Sequence, residues 1–393
     1  MGFKTSIQRE LDSFYRSVYQ QDFNIRSVTK GAFSQARAKL KPEGFKHLAR
    51  TGLKVFYDQA PVYQWYGYRL LAIDGSRLQL PDHPTVVNEF GQHQLGPGAN
   101  TPRSMALCSI MYDPVNLVPV DSQLAPYASS ERDLLVSHLE YTRKGDLLIM
   151  DRGYPAIWLF FLLKAKQVDF CVRMSDYWWV QVDDFNKSEL KETTVTFQLP
   201  KKDRGHLSDY PHLIDESITV RLVKVKLLTG ETEILCTSLL DNERFPAEVF
   251  KELYHLRWQA EEAFKMLKAR VEIEQFSGKT ATAVKQDFYA KMLAITLCAI
   301  YAYPIEEKVK AEFTQDQSDR GSDRKHAQKI NRTSALDMLH NMLIPSFIHK
   351  KFRQALEAFD NIVFKTRELV RPNRTNPRNH KPKRKYYMNY KRL

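Results

Sequence analysis

Three carboxylates in separate parts of the chain have sequence contexts that suit chemistry at a metal ion. Asp74 ends the apolar run RLLAI and Asp151 ends the apolar run DLLIM, and a turn of small residues is expected after each of them. An aspartate at the end of a buried strand is held by the sheet, while its carboxylate points out at the edge where open α/β sheets bind ligands. Glu261 lies in the segment YHLRWQAEEAFKMLK, whose apolar residues have helical spacing. A helix packed against that sheet would bring all three carboxylates together.

Converging carboxylates repel one another unless a cation lies between them. A site made of carboxylate oxygens, without His or Cys, suits Mg²⁺ or Mn²⁺. Two such ions, roughly 3.5–4 Å apart, can activate a water or a 3′-hydroxyl and stabilise the departing oxygen in phosphodiester cleavage. Asp74, Asp151 and Glu261 are therefore predicted to be catalytic residues and ligands of two metal ions. Taken singly, each aspartate is more simply explained as a turn former or a helix cap, and the two matched contexts together with the helix favour the metal site.

The segment around Glu261 is predicted to be one amphipathic helix with a line of polar side chains. At about 100° per residue, Tyr254, Arg257, Glu261, Lys265 and Lys268 fall within a sector of roughly 80°. A neighbouring sector of apolar residues packs the helix. We expect the polar line to be rigid and exposed on the shoulder of the helix. The simplest alternative is a solvated face on which Glu261 forms ion pairs with Arg257 and Lys265.

The chain of 393 residues is strongly basic, with a net charge of +13 and a pI near 9.3. The excess lies at the two ends. Residues 1–60 hold eleven Lys or Arg against five Asp or Glu, and residues 371–393 hold nine Lys or Arg and no acid. This distribution favours a polyanionic partner, most simply nucleic acid. The basic helices predicted at 4–20 and 29–57 indicate a small DNA-binding domain or, equally, an ordinary basic surface.

The cysteines and the apolar runs indicate a soluble intracellular protein. The four cysteines are far apart, and no pair has the spacing of a zinc site or a redox motif. The N-terminal MGFKTSIQRE lacks the apolar stretch of a signal peptide, and the longest apolar runs are shorter than the roughly 20 residues that span a bilayer. We therefore expect a cytoplasmic location and no membrane partner. A glycine-rich loop at Gly91, Gly96 and Gly98 lacks the Gly-Lys-Ser/Thr of a P-loop, so no nucleotide cofactor is expected.

The elements that must position these residues follow from changes in hydrophobic period. From residue 68, YRLLAI, Asp74-Gly75-Ser76 and RLQLP read as strand, tight turn and strand. The run DLLIM, the turn after Asp151, PAIWLFFLLKA and DFCVRMS read as strand, turn, helix and strand, which makes this region α/β. TTVTFQL, SITVRLVKVKLL and TEILCTSLL are typical of a β insertion. Further helices are expected at 284–308 and 334–366, with a polar loop between them.

The polar line resembles the Tyr-Arg-Glu-Lys signature of the insertion-sequence-4 family of bacterial DDE transposases, here as Tyr254-x2-Arg257-x3-Glu261-x6-Lys268. The resemblance implies that Glu261 is the third catalytic carboxylate. It also implies that Tyr254, Arg257 and Lys268 contact phosphates at the transposon end, and Lys265 matches a second lysine that is often found there. The four-residue signature alone would occur by chance in some proteins.

Both aspartates match the same family in the right order. Asp74 in Ile-Asp-Gly-Ser matches its first catalytic aspartate, and Asp151 in Met-Asp-Arg-Gly-Tyr matches its second. The β-rich stretch between Asp151 and Glu261 fits the family's insertion. The resemblance covers roughly residues 25–305. It implies an α/β fold with an RNase H-like catalytic core, made of a mixed sheet with flanking helices, interrupted by a β-rich insertion.

The domains expected from the resemblance are a helical DNA-binding domain at 1–62, the first part of the RNase H-like core at 63–175, the β-rich insertion at 176–241, the second part of the core at 242–310, and a helical C-terminal region with a basic tail at 311–393. The implied function is a transposase that binds the terminal inverted repeats of an insertion sequence. It would cut the 3′ strand at each end, with Mg²⁺ or Mn²⁺, and use the freed 3′-OH to attack target DNA. The expected partner is double-stranded DNA, held by a homodimer, and the expected location is the bacterial cytoplasm near the nucleoid.

Several alternatives stay open. One is a stand-alone metal-dependent nuclease of the same fold, which an absence of inverted repeats around the coding region would favour. Another is a catalytically silent DNA-binding protein derived from a transposase, against which the intact carboxylate trio argues. A two-carboxylate glycosidase has no support from the basic ends. Trp178 and Trp179 either pack in the core of the insertion or include one that stacks on a base flipped from the DNA end. His83 and His93 are expected to be loop residues, since their spacing suits no zinc site.

Overall fold

The computed structural model describes residues 6–94, 101–175, 179–226, 231–318 and 326–370. The helices are α1 (Ile7–Val18), α2 (Lys30–Ala38), α3 (Glu43–Gln59), α4 (Pro84–Phe90), α5 (Glu131–His138), α6 (Ile157–Ala165), α7 (Val180–Lys187), α8 (Val249–His255), α9 (Trp258–Ala269), α10 (Ala281–Ser318), α11 (Arg332–His349) and α12 (Phe352–Lys365). The strands are β1 (Arg69–Gln79), β2 (Gln92–His93), β3 (Arg103–Asp113), β4 (Val118–Pro126), β5 (Asp146–Met150), β6 (Asp169–Arg173), β7 (Glu192–Gln198), β8 (Ser217–Lys226), β9 (Thr232–Thr237), β10 (Gln328–Lys329) and β11 (Glu368–Leu369).

The chain divides into two compact units. The first comprises Met1–Ala60, Gln79–Met105 and Leu267–Leu393, and the second comprises Pro61–Leu78 and Ala106–Met266. All three predicted catalytic residues lie in the second unit.

A large mixed sheet forms the frame of the second unit. Its strands follow the order β4-β3-β1-β5-β6-β9-β8-β7, and β2 also pairs with the start of β3. β4 is antiparallel to β3, whereas β5 is parallel to both β1 and β6. Helices α5, α6 and α8 pack on β4, β6 and β8. The run β4-β3-β1-β5-β6 has the strand order of an RNase H-like fold, which confirms the predicted fold class.

The β-rich insertion extends the same sheet. β9 pairs antiparallel with β6, β8 with β9, and β7 with β8, so the three predicted strands are confirmed. One hydrophobic cluster includes Leu147 of β5, Cys171 of β6, Leu235 of β9 and Phe250 of α8. The insertion therefore shares its core with the strands that carry the predicted site.

Parallel pairing of β1 with β5 sets the geometry at that site. Every residue of β5 is buried, as is typical of a central parallel strand. The register pairs Arg69 with Asp146 and Ala72 with Ile149. At the start of the pair, Arg69 donates from Nε to Asp146 Oδ1 at 2.8 Å and from Nη2 to Oδ2 at 2.6 Å. This buried bidentate pair specifies the register, because a slip would leave two charges unpaired.

The turn predicted after Asp74 is wrong. β1 runs unbroken from Arg69 to Gln79, through Asp74-Gly75-Ser76. A two-residue hairpin turn needs backbone with positive φ, and Gly75 is not among the described glycines with positive φ. Asp74 therefore lies in the middle of its strand. The edge of the sheet beside Asp74 is formed by the end of the neighbouring strand β5, at Met150.

The first unit is mainly helical, with more breaks than predicted. The helix expected at 29–57 is two helices, α2 and α3. Pro42 directly precedes α3, and the residue before a proline is disfavoured in helical conformation. The helix expected at 334–366 is likewise two, α11 and α12, and Lys350 between them has a left-handed φ of 54°.

α10 is longer than predicted. It continues to Ser318, into the polar stretch that was expected to be a loop. Its segment Ala281–Thr314 is long and apolar enough to cross a membrane by length and composition alone. However, 67% of the apolar window is buried inside the protein, where α10 packs against α3, α11 and α12. It therefore serves as the core helix of the first unit.

Candidate active site

The two predicted aspartates are neighbours on adjacent strands. The register pairs Ala72 of β1 with Ile149 of β5. Two residues further along, the same register places Asp74 beside Asp151. Adjacent strands lie about 4.8 Å apart, and paired residues in register point to the same face. Both carboxylates therefore share one face at the carboxyl end of β5. The turn predicted after Asp151 is present, and Asp151 Oδ1 accepts a hydrogen bond from Gly153 N at 2.8 Å.

The single helix predicted around Glu261 is two helices. α8 ends at His255 and α9 begins at Trp258. At the junction, Arg257 N donates to Tyr254 O at 3.1 Å and Ala260 N donates to Arg257 O at 3.0 Å. These hydrogen bonds span three residues, as in a 3₁₀ turn, so the chain is wound more tightly than an α-helix. The tighter turn rotates Tyr254 and Arg257 away from the straight line that an unbroken helix predicts.

Exposure along the polar line is graded. Tyr254 and Arg257 are only 5% and 7% exposed, the Glu261 side chain is 29% exposed, and Lys265 and Lys268 are exposed. The prediction of an exposed line is therefore wrong for its first two members and right for its last two. Its buried end lies in the second unit with the aspartates.

Glu261 is held by a cation on its own helix segment. Arg257 Nη2 lies 2.5 Å from Glu261 Oε1, as the alternative of a helical ion pair predicted. The second half of that alternative is wrong, because Lys265 Nζ pairs with Glu262 Oε1 at 2.5 Å instead. Arg257 is buried and Lys265 is exposed, so the Arg257–Glu261 pair is the less screened of the two.

Burial and like charge act together on Asp74. Burial is the larger cause, and with the charges of Glu261 and Asp151 it raises the pKa of Asp74 to about 7, while Arg257 opposes the rise. Glu261 therefore lies close enough to Asp74 to act on its charge. The structure places Asp74 in one neighbourhood with the other two predicted carboxylates, and the charge of Arg257 acts on it as well.

The three carboxylates are suitable ligands for a hard divalent ion, but Glu261 would have to reorient to bind it together with the aspartates. Carboxylate oxygens are the ligands that Mg²⁺ and Mn²⁺ prefer. Among the described residues, no three His, Cys, Asp or Glu side chains are close enough to hold one ion as they stand. Glu261 is turned towards Arg257, so it must leave this partner to join Asp74 and Asp151. A cation between the carboxylates would also relieve the repulsion that raises the pKa of Asp74.

Two buried donors beside the carboxylates have no hydrogen-bond partner within the described chain. They are Tyr254 Oη and Arg257 Nε. A buried polar group without a partner costs about 1–3 kcal/mol, and an unsatisfied group in a native site indicates an absent ligand or water. Burial raises the pKa of the Tyr254 phenol above its ordinary value, so it is a protonated donor at neutral pH. A hydroxyl and a guanidinium are the donors that phosphate oxygens accept from.

The structure adds a fourth carboxylate, Glu131, that no sequence motif marks. It is the first residue of α5, and its oxygens lie beside Gly75 and Gly153, the glycines that follow the two aspartates. Ser130 caps α5 by accepting a hydrogen bond from Asp133 N. That cap was the available signal, because it places an acidic first turn directly after a core strand.

A buried hydrogen-bonded chain supports the backbone of Asp74. His138 Nδ1 lies 2.6 Å from Asp121 Oδ2, His138 Nε2 lies 2.9 Å from Ser109 Oγ, and Ser109 Oγ donates to Asp74 O at 3.5 Å. A Ser-His-Asp arrangement is typical of nucleophilic catalysis. Here all three residues are buried, so a substrate cannot reach the serine. The chain instead ties α5, β3 and β4 to the strand that carries Asp74.

Other residues singled out in the sequence lie apart from the carboxylates. Trp179 packs edge-on against Phe197 of β7, with ring centroids 5.0 Å apart, which favours its role in the core of the insertion. Trp178 lies outside the described residues. His83 caps α4 and His93 lies in β2, both in the first unit.

The strand order and the carboxylates at the end of β5 define an RNase H-like protein with an acidic site at the edge of its sheet. Residues 65–297 match the family of the transposase DDE domain. Over 296 residues, or 74% of this chain and 65% of the relative, the sequence is 24% identical to the transposase InsG for insertion sequence element IS4 of Escherichia coli strain K12. Over 85 residues, or 22% of this chain and 23% of the relative, it is 36% identical to the putative transposase y4zB of Sinorhizobium fredii.

The chain belongs to the DDE transposases, of the insertion-sequence type represented by IS4, which confirms the family predicted from the signature. It spans 65% of the length of InsG and a smaller share of y4zB. Among solved structures it is similar to a piggyBac transposase in a synaptic complex with hairpin DNA, with a TM-score of 0.41 and 11% identity, covering 75% of this chain and 57% of that chain.

Proposed function

We propose that this transposase binds the terminal inverted repeats of an insertion sequence, cleaves the 3′ strand at each end, and joins the freed 3′-OH to target DNA. Membership of the DDE transposases supports DNA transposition in general. The observation that supports the finer proposal is the shared neighbourhood of Asp74, Asp151 and Glu261 at the end of β5. Two buried donors without partners in the described chain, on Tyr254 and Arg257, lie at the end of α8 and at its junction with α9, which carries Glu261.

DDE transposases generally depend on divalent metal ions. In this proposal Asp74, Asp151 and Glu261 hold two Mg²⁺ or Mn²⁺ ions. Such ions, when bound, activate the attacking oxygen and stabilise the departing oxygen of the phosphodiester. Asp74 would be one of these ligands, since the charges of Glu261 and Asp151 both act on it. It must lose its proton for this role, because a carboxylate ligand is deprotonated.

Arg257 couples the DNA to the carboxylates. A phosphate of the transposon end accepts hydrogen bonds from the Tyr254 hydroxyl and the Arg257 guanidinium, which replaces the ion pair with Glu261. Glu261 is then free to turn towards Asp74. Lys265 and Lys268, which are exposed further along α9, contact phosphates as point charges.

The partner in this proposal is double-stranded DNA, first as two transposon ends and then as target. Two ends must be held together for a paired excision, so a homodimer on DNA is proposed. The basic ends of the chain add phosphate contacts that carry no sequence information. A protein that acts on the DNA of a bacterium works in the cytoplasm, and association with the nucleoid follows from non-specific DNA binding.

The decisive experiment compares Glu261→Gln with Glu262→Gln. Glutamine keeps the size of the side chain and its hydrogen bonding but removes the charge that a divalent ion requires. Glu261→Gln should fold and bind DNA ends normally yet lose strand cleavage, whereas Glu262→Gln, on the solvent side, should stay within a few fold of the wild type. Cleavage by Glu261→Gln together with loss of cleavage by Glu262→Gln would refute the site assignment.

The same assay separates a transposase from a nuclease of the same fold. With Mg²⁺ or Mn²⁺, a transposase should release the ends and also form joined products in target DNA, whereas a nuclease should form cleaved products alone. EDTA should stop both reactions. Full cleavage in EDTA would exclude the metal-dependent proposal.

A further inference from the structure

Arg132 fixes the start of α5 against the loop that follows Asp151. Its Nε donates to Tyr154 O and its Nη2 donates to Pro155 O, both at 3.1 Å. The side chain of Glu131, the residue before it, is thereby held next to the same loop. The position of Glu131 is therefore fixed by the hydrogen bonds of Arg132 to the backbone of this loop.

Two glycines leave the space that the Glu131 carboxylate fills. A Cβ on Gly75 would lie 2.5 Å from Glu131 Oε1, closer than side chains approach in proteins. A Cβ on Gly153 would lie 3.5 Å from Glu131 Oε2 and 3.1 Å from Asp151 Oδ1, so both carboxylates lie beside this glycine. Neither glycine is among the described residues with positive φ. Space for Glu131, and not backbone conformation, accounts for Gly75, whereas the tightest contact of a Cβ at Gly153 would be with Asp151.

The Glu131 carboxylate is half-buried and lacks a close partner. Among the described residues it accepts no hydrogen bond and forms no ion pair, and Arg77 is the cation whose charge acts on it from further away. Its position at the N-terminus of α5 stabilises a negative charge modestly. A carboxylate beside another carboxylate is unfavourable unless a cation joins them.

A buried hydroxyl beside these carboxylates independently indicates a ligand. Tyr154 is fully buried, and its hydroxyl has no hydrogen-bond partner in the described chain. The negative charges of Glu131, Asp151 and Asp74 all act on it. The Ser109 hydroxyl is near, but it lies outside hydrogen-bonding geometry and is bonded to His138. Among the described residues, the Tyr154 hydroxyl is therefore a free donor on which three carboxylate charges act.

We propose that Glu131 is a fourth carboxylate ligand of the metal site, on the side of Asp151. The site then has four carboxylates, whose charge equals that of two divalent ions without any contribution from Arg257. This inference rests on the proposed metal-dependent function. It assigns Asp74 and Glu261 to one side of the site and Asp151 with Glu131 to the other.

The test measures Mn²⁺ binding to the full-length protein at neutral pH, by the loss of the free-ion signal in electron paramagnetic resonance. Glu131→Gln should weaken Mn²⁺ binding about tenfold or more, as loss of a metal-site group does. Gly75→Ala places a methyl group where the Glu131 oxygen lies, so it should weaken binding similarly. The double variant should be no weaker than either single one. Asp133→Asn, an exposed carboxylate on the same helix turn, is the matched control and should bind as the wild type does.

The outcomes separate this inference from the function on which it rests. Wild-type binding by Glu131→Gln, together with loss of binding by Asp74→Asn, would overturn the role of Glu131 and leave the three-carboxylate site standing. Equal binding by the wild type and Asp74→Asn would overturn the metal site itself, and the inference with it. Thermal unfolding of each variant verifies that it is folded, so weak binding is not confused with misfolding.

Discussion

Asp74→Asn is expected to stabilise the metal-free protein at neutral pH while abolishing metal binding. Burial first, and then the charges of Glu261 and Asp151, raise the pKa of Asp74 to about 7. An aspartate in an unfolded chain has a pKa of about 3.9. Between these values the folded protein holds a proton that the unfolded chain has released. Ionised Asp74 therefore opposes folding in the absence of a metal ion.

The sign and size of the effect follow from proton linkage. Because the pKa is raised in the folded state, the contribution of Asp74 to stability is fully present below about pH 4 and is lost as the pH rises through about 7. A difference of about three pKa units corresponds to about 4 kcal/mol at most. Solvent reaches part of the Asp74 carboxylate and screens its charge, so we expect about 1–3 kcal/mol. Asparagine has nearly the same shape and no charge, so Asp74→Asn should regain this free energy.

Urea unfolding with EDTA, at pH values from about 4 to about 8, measures the difference in free energy of unfolding between Asp74→Asn and the wild type. The difference should be small at the acid end, should grow between about pH 4 and about pH 7, and should level off above that. With Mg²⁺ the order should reverse, because the wild type gains stability from a ligand that the variant cannot bind. Asp209→Asn, at an exposed position, is the control and should show no such trend. A difference for Asp74→Asn that stays constant with pH would refute the reasoning.

Three further expectations concern the residues around the site and the basic end of the chain. Tyr254→Phe removes a buried hydroxyl without a partner, so it should leave urea stability unchanged or up to about 1 kcal/mol higher, while weakening DNA-end binding several-fold in a gel-shift titration. Arg69→Met leaves the buried Asp146 carboxylate without its cation, so it should lower the free energy of unfolding in urea by about 3–5 kcal/mol. Adding Asp146→Leu should recover most of that loss. Failure to recover would mean that the pair does not set the register. Deleting residues 371–393, which lie outside the described structure, should flatten the plot of log affinity against log salt if the tail contacts phosphates.

That the two aspartates lie close together could be predicted from the sequence, because the hydrophobic pattern and the length of a strand are visible in its own residues. The apolar runs before Asp74 and Asp151 are nearly equal in length, so pairing them as parallel strands in register sets the aspartates side by side. The Arg69–Asp146 pair that holds this register starts both strands. A buried ion pair between distant segments leaves no mark in either segment alone, and it was not predicted.

The role of Gly75 could not be predicted from the sequence, because glycine meets two different requirements. It suits a turn with positive φ, and it also suits a close approach by another group. The turn was predicted, whereas the structure shows a close approach by Glu131. The approaching group comes from a distant helix, so only the tertiary fold distinguishes the two cases. The break between α8 and α9 is similar, since the sequence there has an unbroken helical period and packing in the folded chain decides the tighter turn.

In the proposed mechanism, the site would have two states that differ in the partner of the Arg257 guanidinium. In the structure Arg257 neutralises Glu261, while its Nε atom and the Tyr254 hydroxyl have no hydrogen-bond partner among the described residues. In this mechanism a DNA phosphate would accept hydrogen bonds from those donors and compete for the guanidinium, and a divalent ion would compete for Glu261. Each ligand thus removes an obstacle to the other, and thermodynamic linkage requires the gain in affinity to be the same in both directions. In the proposed mechanism, the metal site is therefore assembled fully only when a transposon end is bound, which restricts strand cleavage to the correct DNA.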